Sequence, residues 1–173
     1  KIFNYTSPKL VSLNNPLSNV RNALNAVNIE TDHLENLFLE GQGAGGKPTA
    51  SSVLSDIYDI AKNNIFNNLG FKIDSLKNYK KYSSENIINS YYLRIMTEDK
   101  PGVLSSITNN FTESNMSIEK ILQLPDNINK NLPISIIITT HKIQREVLNN
   151  VIEKIEKLSF VKEKITVLPI HDN

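Results

Sequence analysis

The sequence predicts an α+β protein. Its C-terminal half, residues 89–173, follows the order βαββαβ, a four-stranded antiparallel sheet with two helices on one face. Three patterns carry this. Tyr91, Leu93 and Ile95 alternate with Tyr92, Arg94 and Met96, the period of a strand. Pro101-Gly102 ends that run, and Leu104, Ile107 and Phe111 then recur at helical spacing. Further on, Ile134, Ile136 and Ile138 alternate with Ser135, Ile137 and Thr139, and Leu148, Val151, Ile155 and Leu158 form a second helical stripe.

The other elements follow from the same rules. Ile118 to Leu124 is a strand, residues 125–131 are turn formers suited to a hairpin loop, and Ile165, Val167 and Pro169 mark a last strand. The whole is ferredoxin-like. Nearer the N-terminus, Pro8-Lys9-Leu10-Val11 enters a strand, and Pro16-Leu17 opens a helix with Leu17, Val20, Arg21 and Leu24 on one face. Residues 25–29 alternate like a strand. Leu34 to Glu40 is a strand by its brevity and the glycine after it. Ala50 to Ile60 is a helix with Val53, Leu54, Ile57, Ile60 and Ala61 on one side. Residues 65–88 are rich in Asn, Lys and Ser and read as a linker, within which Ile65, Phe66, Leu69 and Phe71 can pack on the preceding helix. The expected division is 1–64, a linker at 65–88, and 89–173.

Composition excludes several functions. There are 19 basic and 18 acidic side chains with no block of one sign, which argues against a nucleic-acid partner. The absence of cysteine removes disulfides and thiolate chemistry. His33, His141 and His171 lack metal-ligand spacing and suit surface or strand-end positions. No apolar run approaches the ~20 residues of a membrane helix, and no signal peptide is visible, so the expected location is the cytoplasm, with no membrane partner. The chain opens on Lys1-Ile2-Phe3 rather than Met, as a piece of a longer protein would.

Two glycine-containing bends draw the functional reading. Gly41, Gly43, Gly45 and Gly46 are four of the six glycines. A glycine loop between strand and helix can receive an anion or a cofactor edge. The spacing is not that of a phosphate-binding loop, and Pro48 follows Lys47 where such a loop needs Ser or Thr; a plain structural turn is the other reading. The second bend, Glu98 to Gly102, joins a strand end to a helix start. Unpaired N–H groups and the helix dipole there favour an anion such as an amino-acid carboxylate. The alternative is a turn without ligand, in which Asp99 and Ser105 serve the helix start and Asn115 its end.

D-K-P-G-V-L, followed by a helix and N-M-S-I, resembles an ACT domain, a small regulatory module that binds amino acids. P-L-S-N-V, then N-A-V, then G-Q-G-A-G-G-K-P-T-A-S-S-V-L-S-D-I resembles the end of the catalytic core of homoserine dehydrogenase, over roughly residues 8–64. Many bacterial enzymes of that family carry an ACT domain directly after this core. The resemblance implies hydride transfer between NADP or NAD and the aspartate-semialdehyde/homoserine pair, on the route to threonine and methionine. It also implies that the catalytic lysine and the substrate-binding acidic residues lie upstream of the matched part, so no catalytic residue is expected here and this piece should be inactive by itself. Gly43, Ala44 and Gly45 would be backbone contacts to the cofactor, with Thr49 a helix-start hydroxyl beside it; Lys47, Asp56 and Asp59 are taken as solvated. In the ACT half, Asp99 would meet an α-amino group, and the amides of Gly102, Val103 and Leu104 the carboxylate. Asn115, Ser117 or Gln123, from the same or a neighbouring copy, would hold polar side-chain groups. Threonine leads as effector by pathway logic, with methionine and isoleucine open. A homo-oligomer through the ACT domain and core is implied. The competing reading is a stand-alone amino-acid-binding or dimerisation module whose glycine loop is structural only. An ACT-bearing kinase or a different dehydrogenase is a third.

Overall fold

A computed structural model of the protein describes residues 3–63, 73–78, 80–124 and 133–171. The chain forms two compact units. The smaller is Ser12–Tyr79; the larger joins Lys1–Val11 to Lys80–Asn173.

In the smaller unit, β1 (Leu24–Ile29) pairs antiparallel with β2 (Leu37–Gln42), in a register running from Leu24 opposite Gln42 to Ile29 opposite Leu37. α1 is Gly46–Ala61. The helix expected from Pro16 closes after one 3-10 turn, Pro16–Asn19. Asn15 caps that turn by accepting from the Leu17 N–H at 3.0 Å, and Asn22, at φ 58°, redirects the chain so that Leu24 opens β1 instead of completing a stripe. α1 starts four residues earlier than expected, because Pro48 falls in the first turn, where a missing N–H costs nothing. Its apolar stripe is spaced as the sequence indicates, yet no α1 residue is buried; Ile60 is 73% exposed.

In the larger unit the order is β3 (Ile88–Thr97), α2 (Val103–Glu113), β4 (Ile118–Leu124), β5 (Ile134–Thr140), a short β6 (Ile143–Gln144), α3 (Arg145–Glu156) and β7 (Thr166–Ile170). β3 is central. It pairs antiparallel with β5 and with β7, and β4 extends the sheet beyond β5. β6, not anticipated, pairs with the first two residues of β3. The expected βαββαβ arrangement is therefore present. Tyr91, Leu93, Ile95 and Thr97 project from β3 into a core completed by Ile136 and Ile138 of β5, Ile107 and Phe111 of α2, and Leu148, Val151 and Ile155 of α3, all at most 1% exposed.

The stripe of α2 differs from expectation by one residue. Val103, not Leu104, is its first buried member, since Val103, Ile107 and Phe111 recur every four residues, while Leu104 is turned roughly 100° away and is 36% exposed. α2 ends on Asn115 at φ 51°. The Asn115 N–H donates to the Thr112 carbonyl at 3.0 Å and that of Met116 to the Phe111 carbonyl at 2.9 Å, the paired bonds that close a helix through a left-handed residue. Past the last β3–β5 ladder pair, the Tyr91 N–H donates to the Thr140 hydroxyl at 3.1 Å, so a buried donor is satisfied by a side chain.

The strand expected at Pro8–Val11 is a single parallel bridge, Leu10 to Ile170. Leu10 N–H donates to the Pro169 carbonyl at 3.0 Å, and His171 N–H to the Leu10 carbonyl at 2.8 Å. His33 and His141 are exposed, and among the described residues no cluster of His, Asp or Glu could hold a metal ion. No helix among them is long and apolar enough to cross a membrane. The hairpin loop at 125–131 and the packing of Ile65, Phe66, Leu69 and Phe71 lie outside the described residues. Of the 65–88 stretch, 3-10 turns at Ile73–Ser75 and Ser84–Asn86 are described.

Phe111→Ala should lower the stability of the larger unit by about 3–5 kcal/mol, whereas Ile60→Ser on exposed α1 should change stability by less than ~0.5 kcal/mol. Denaturant unfolding of the chain, followed by tyrosine near-UV circular dichroism, measures both; equal effects would contradict this assignment of the core.

Candidate functional site

The bend after β3 is shaped by two residues. Pro101 biases Lys100 toward extended backbone, and Gly102 sits at φ 88°, in the left-handed region. A Cβ at Gly102 would meet no atom within 4 Å, so backbone conformation, and not space, calls for glycine here. α2 begins on the next residue with no side-chain cap, so neither Asp99 nor Ser105 plays the capping part. The Gly102 carbonyl accepts from the Ser106 N–H and hydroxyl, both at 2.9 Å. The Val103 N–H is engaged with the Lys100 carbonyl at 3.3 Å, while the N–H groups of Gly102 and Leu104 have no acceptor among the described residues. They stand at the positive end of the α2 dipole.

Beside this bend is a cleft of about 320 Å³, walled by Glu98 to Leu104 on one side and by Gln123, Ile134 and Ile136 on the other. It brings together Asp99, Gly102, Val103, Leu104 and Gln123 from the expected effector set. Asn115 and Ser117 are not on its wall. They follow the far end of α2, where Asn115 closes the helix and the Ser117 carbonyl accepts from the His141 N–H at 3.1 Å.

Sequence reasoning missed Glu98. Its carboxylate pairs with Lys100 at 2.6 Å and with Lys162, and its backbone N–H donates to the Phe160 carbonyl at 3.0 Å. Lys162 N–H in turn donates to the Met96 carbonyl at 2.9 Å. The hydrogen bond from Lys100, then that from Lys162, hold the carboxyl down at about 2, against an ordinary 4.5. Glu98 thereby ties the bend to the segment leading into β7. The Glu98-x-Lys100 spacing is visible in an extended chain; Lys162, far along the sequence, is not.

The other bend leaves β2 at Gln42 and enters α1 through Gly45 at φ 120°. A side chain at Gly43 would run into the Asn25 side-chain amide on β1, so glycine permits the close approach there. The Thr49 hydroxyl donates to the Gly45 carbonyl at 2.8 Å and its N–H to the same atom at 3.2 Å, so its proton is used inside the first turn of α1. Gly43, Ala44, Gly45, Lys47 and Thr49 are all exposed, as are Asp56 and Asp59. The Gly46 and Lys47 amides, without acceptors among the described residues, and the open space around Gly46 fit a backbone contact to the polar edge of a cofactor. The geometry gives Thr49 a helix-start role.

Two stretches of the chain match known families. Residues 4–58 match the family model for homoserine dehydrogenase, and residues 91–160 that for the ACT domain. The chain is 31% identical over 163 residues to a homoserine dehydrogenase of Mycobacterium leprae, covering 93% of this chain and 37% of that one. It is 34% identical over 172 residues to one of Bacillus subtilis, covering 96% and 38%. The crystal structure of a homoserine dehydrogenase from Thiobacillus denitrificans superposes with a TM-score of 0.80 at 30% identity, over 95% of this chain and 38% of that one. The larger unit thus carries an ACT domain, over residues 91–160. Along its length the chain is similar to part of the homoserine dehydrogenases, with the match to that family at its N-terminal side and the ACT match after it. It spans a little over a third of the length of these relatives.

Because the Glu98 carboxyl titrates lower in the fold than the ordinary 4.5, its ion pairs stabilise the protein above that pH and are lost as pH falls toward about 2. Glu98→Gln should therefore melt below the wild type near neutral pH, with the gap closing across that acid range. A gap that is the same at both ends would contradict the ion-pair assignment.

Proposed function

We propose that this chain is the C-terminal part of an NAD(P)-dependent homoserine dehydrogenase, and that its ACT domain senses a free amino acid, threonine first, in the cleft beside Gly102. The parent enzyme would interconvert L-aspartate 4-semialdehyde and L-homoserine in the cytoplasm. The observation that carries the sensing role is the convergence of Asp99, two acceptor-free amides at the start of α2, and Gln123 on one cleft of amino-acid size. The amides take the carboxylate, Asp99 the ammonium, and Gln123 a side-chain hydroxyl. Ile134 and Ile136 supply the apolar wall for a small aliphatic group. Asn115 and Ser117 reach the effector only if a neighbouring copy supplies them. Oligomerisation through the sheet edge is supported by β4, whose Ile121 and Leu122 are 40% and 52% exposed.

The glycine bend at 43–45 would support the nicotinamide cofactor from its backbone, the cofactor supplying the hydride when bound. The exposed stripe of α1 supports a core segment completed by further structure in the parent enzyme. The resemblance to homoserine dehydrogenase puts the catalytic lysine and the substrate-binding acidic residues upstream of the matched part, so no turnover of homoserine with NADP or NAD is expected from the 173-residue chain; measurable turnover would refute this.

Calorimetric titration of the chain with threonine should give saturable heat, and Gly102→Asp should abolish it. The substitution adds a side chain in a left-handed conformation and a negative charge where the carboxylate must sit. Full binding by a folded Gly102→Asp variant, or no heat from the wild type with any amino acid, would overturn the sensing role.

A further inference from the structure

A second cavity, of about 430 Å³, opens at the opposite end of β3, within the larger unit. Its volume lies in the range of small-molecule sites. Its polar lining includes Arg145, Glu85, Asn89, Asn149 and Tyr91. Tyr91 is 1% exposed as a whole residue and forms part of the cavity wall. Asn89 is half-buried and Asn149 is exposed at the cavity mouth. The Arg145 guanidinium lies 5.4 Å from the centre of the Tyr91 ring and pairs with no carboxylate among the described residues. Arg145 opens α3, and its backbone N–H donates to the Ile87 carbonyl at 2.8 Å, fixing the helix start against the entry to β3.

A tyrosine hydroxyl, two side-chain amides, a planar cation and the Glu85 carboxylate converge on one cavity, a mixture of donors and acceptors suited to a small zwitterion. We infer that this cavity is a second amino-acid site, separate from the cleft at Gly102. The Arg145 fork binds the carboxylate, stacked on Tyr91. Glu85 accepts from the ammonium group and repels a second carboxylate, which selects a zwitterion over a diacid. The Tyr91 hydroxyl and the two asparagine amides meet the remaining polar atoms, and Ile87 and Val167 give an apolar wall. From Tyr91 to Thr97 the strand runs about 20 Å at ~3.3 Å per residue, so the two sites are at opposite ends of one rigid element. Tyr5 and Pro8 also line this cavity and belong to the segment matched to homoserine dehydrogenase, whereas Tyr91 and Arg145 belong to the ACT match. A ligand here touches both, and holds the N-terminal segment against the ACT sheet.

The test is amide NMR of the full chain, titrated with each proteinogenic L-amino acid and with its carboxamide. At least one amino acid should shift the resonances of Asn89, Tyr91 and Arg145, and its carboxamide should not. Arg145→Gln should weaken that binding by about tenfold or more while shifts at Gly102 persist. Glu85→Gln, at an exposed position that leaves the core intact, should weaken the amino acid but not a plain carboxylate such as propionate. The inference is overturned if no amino acid perturbs these resonances, if carboxamides bind equally well, or if both variants bind as the wild type does. The Gly102 resonances are scored separately, so failure here is distinct from failure of the effector reading.

Discussion

The structure depends on the burial of alternate residues along β3. Tyr91, Leu93, Ile95 and Thr97 are at most 1% exposed, and the strand carrying them is hydrogen-bonded on both edges. A shift by one residue would bury Arg94 and expose Leu93, so the register is fixed by the pleat alone. Once β3 is set, the helices have one place to go. Val103, Ile107 and Phe111 of α2, and Leu148, Val151 and Ile155 of α3, cover the same face. Both ends of the strand then emerge at defined points on the surface, and each opens beside a cleft.

That constraint ties fold to chemistry at the C-terminal end of β3. The strand must stop within a few residues for α2 to fold back over it, and Gly102 makes the reversal in a conformation other residues resist. The reversal leaves the Gly102 and Leu104 amides at the start of α2 without acceptors among the described residues. Glu98 then pins the bend from the other side through Lys100 and Lys162, so the cleft is shaped by the α3–β7 connection as well as by its own loop. A site formed this way is pre-organised, which lowers the ordering cost of binding a small ligand.

Local pattern made much of this legible. The alternation of β3 and β5, the stripe of α3 and the Pro-Gly stop are short-range signals, and each fell where the periodicity put it. The bend from Asp99 to Leu104 was legible too, because its residues are contiguous. What escaped depends on neighbours distant in sequence. The Glu98 clamp needs Lys162, and the Leu10 bridge needs β7. The cavity at Arg145 draws on segments from residue 5 to residue 169. The helix read at Pro16 failed for a local reason: Asn15 and Asn22 are turn residues whose capping and positive φ outweigh three apolar positions of suitable spacing. Asn115 illustrates the opposite limit. It satisfies both a ligand motif and a helix-end motif, and only geometry shows the second in use.

The central claim is that the amides at the start of α2 grip a free amino acid. Hydrogen–deuterium exchange at Gly102, Val103 and Leu104, with and without saturating threonine, tests it most directly. Slowed exchange at Gly102 and Leu104, with amides in the middle of β3 unchanged, is the result this account requires. Unaltered exchange at those residues with threonine, methionine and isoleucine alike would contradict it.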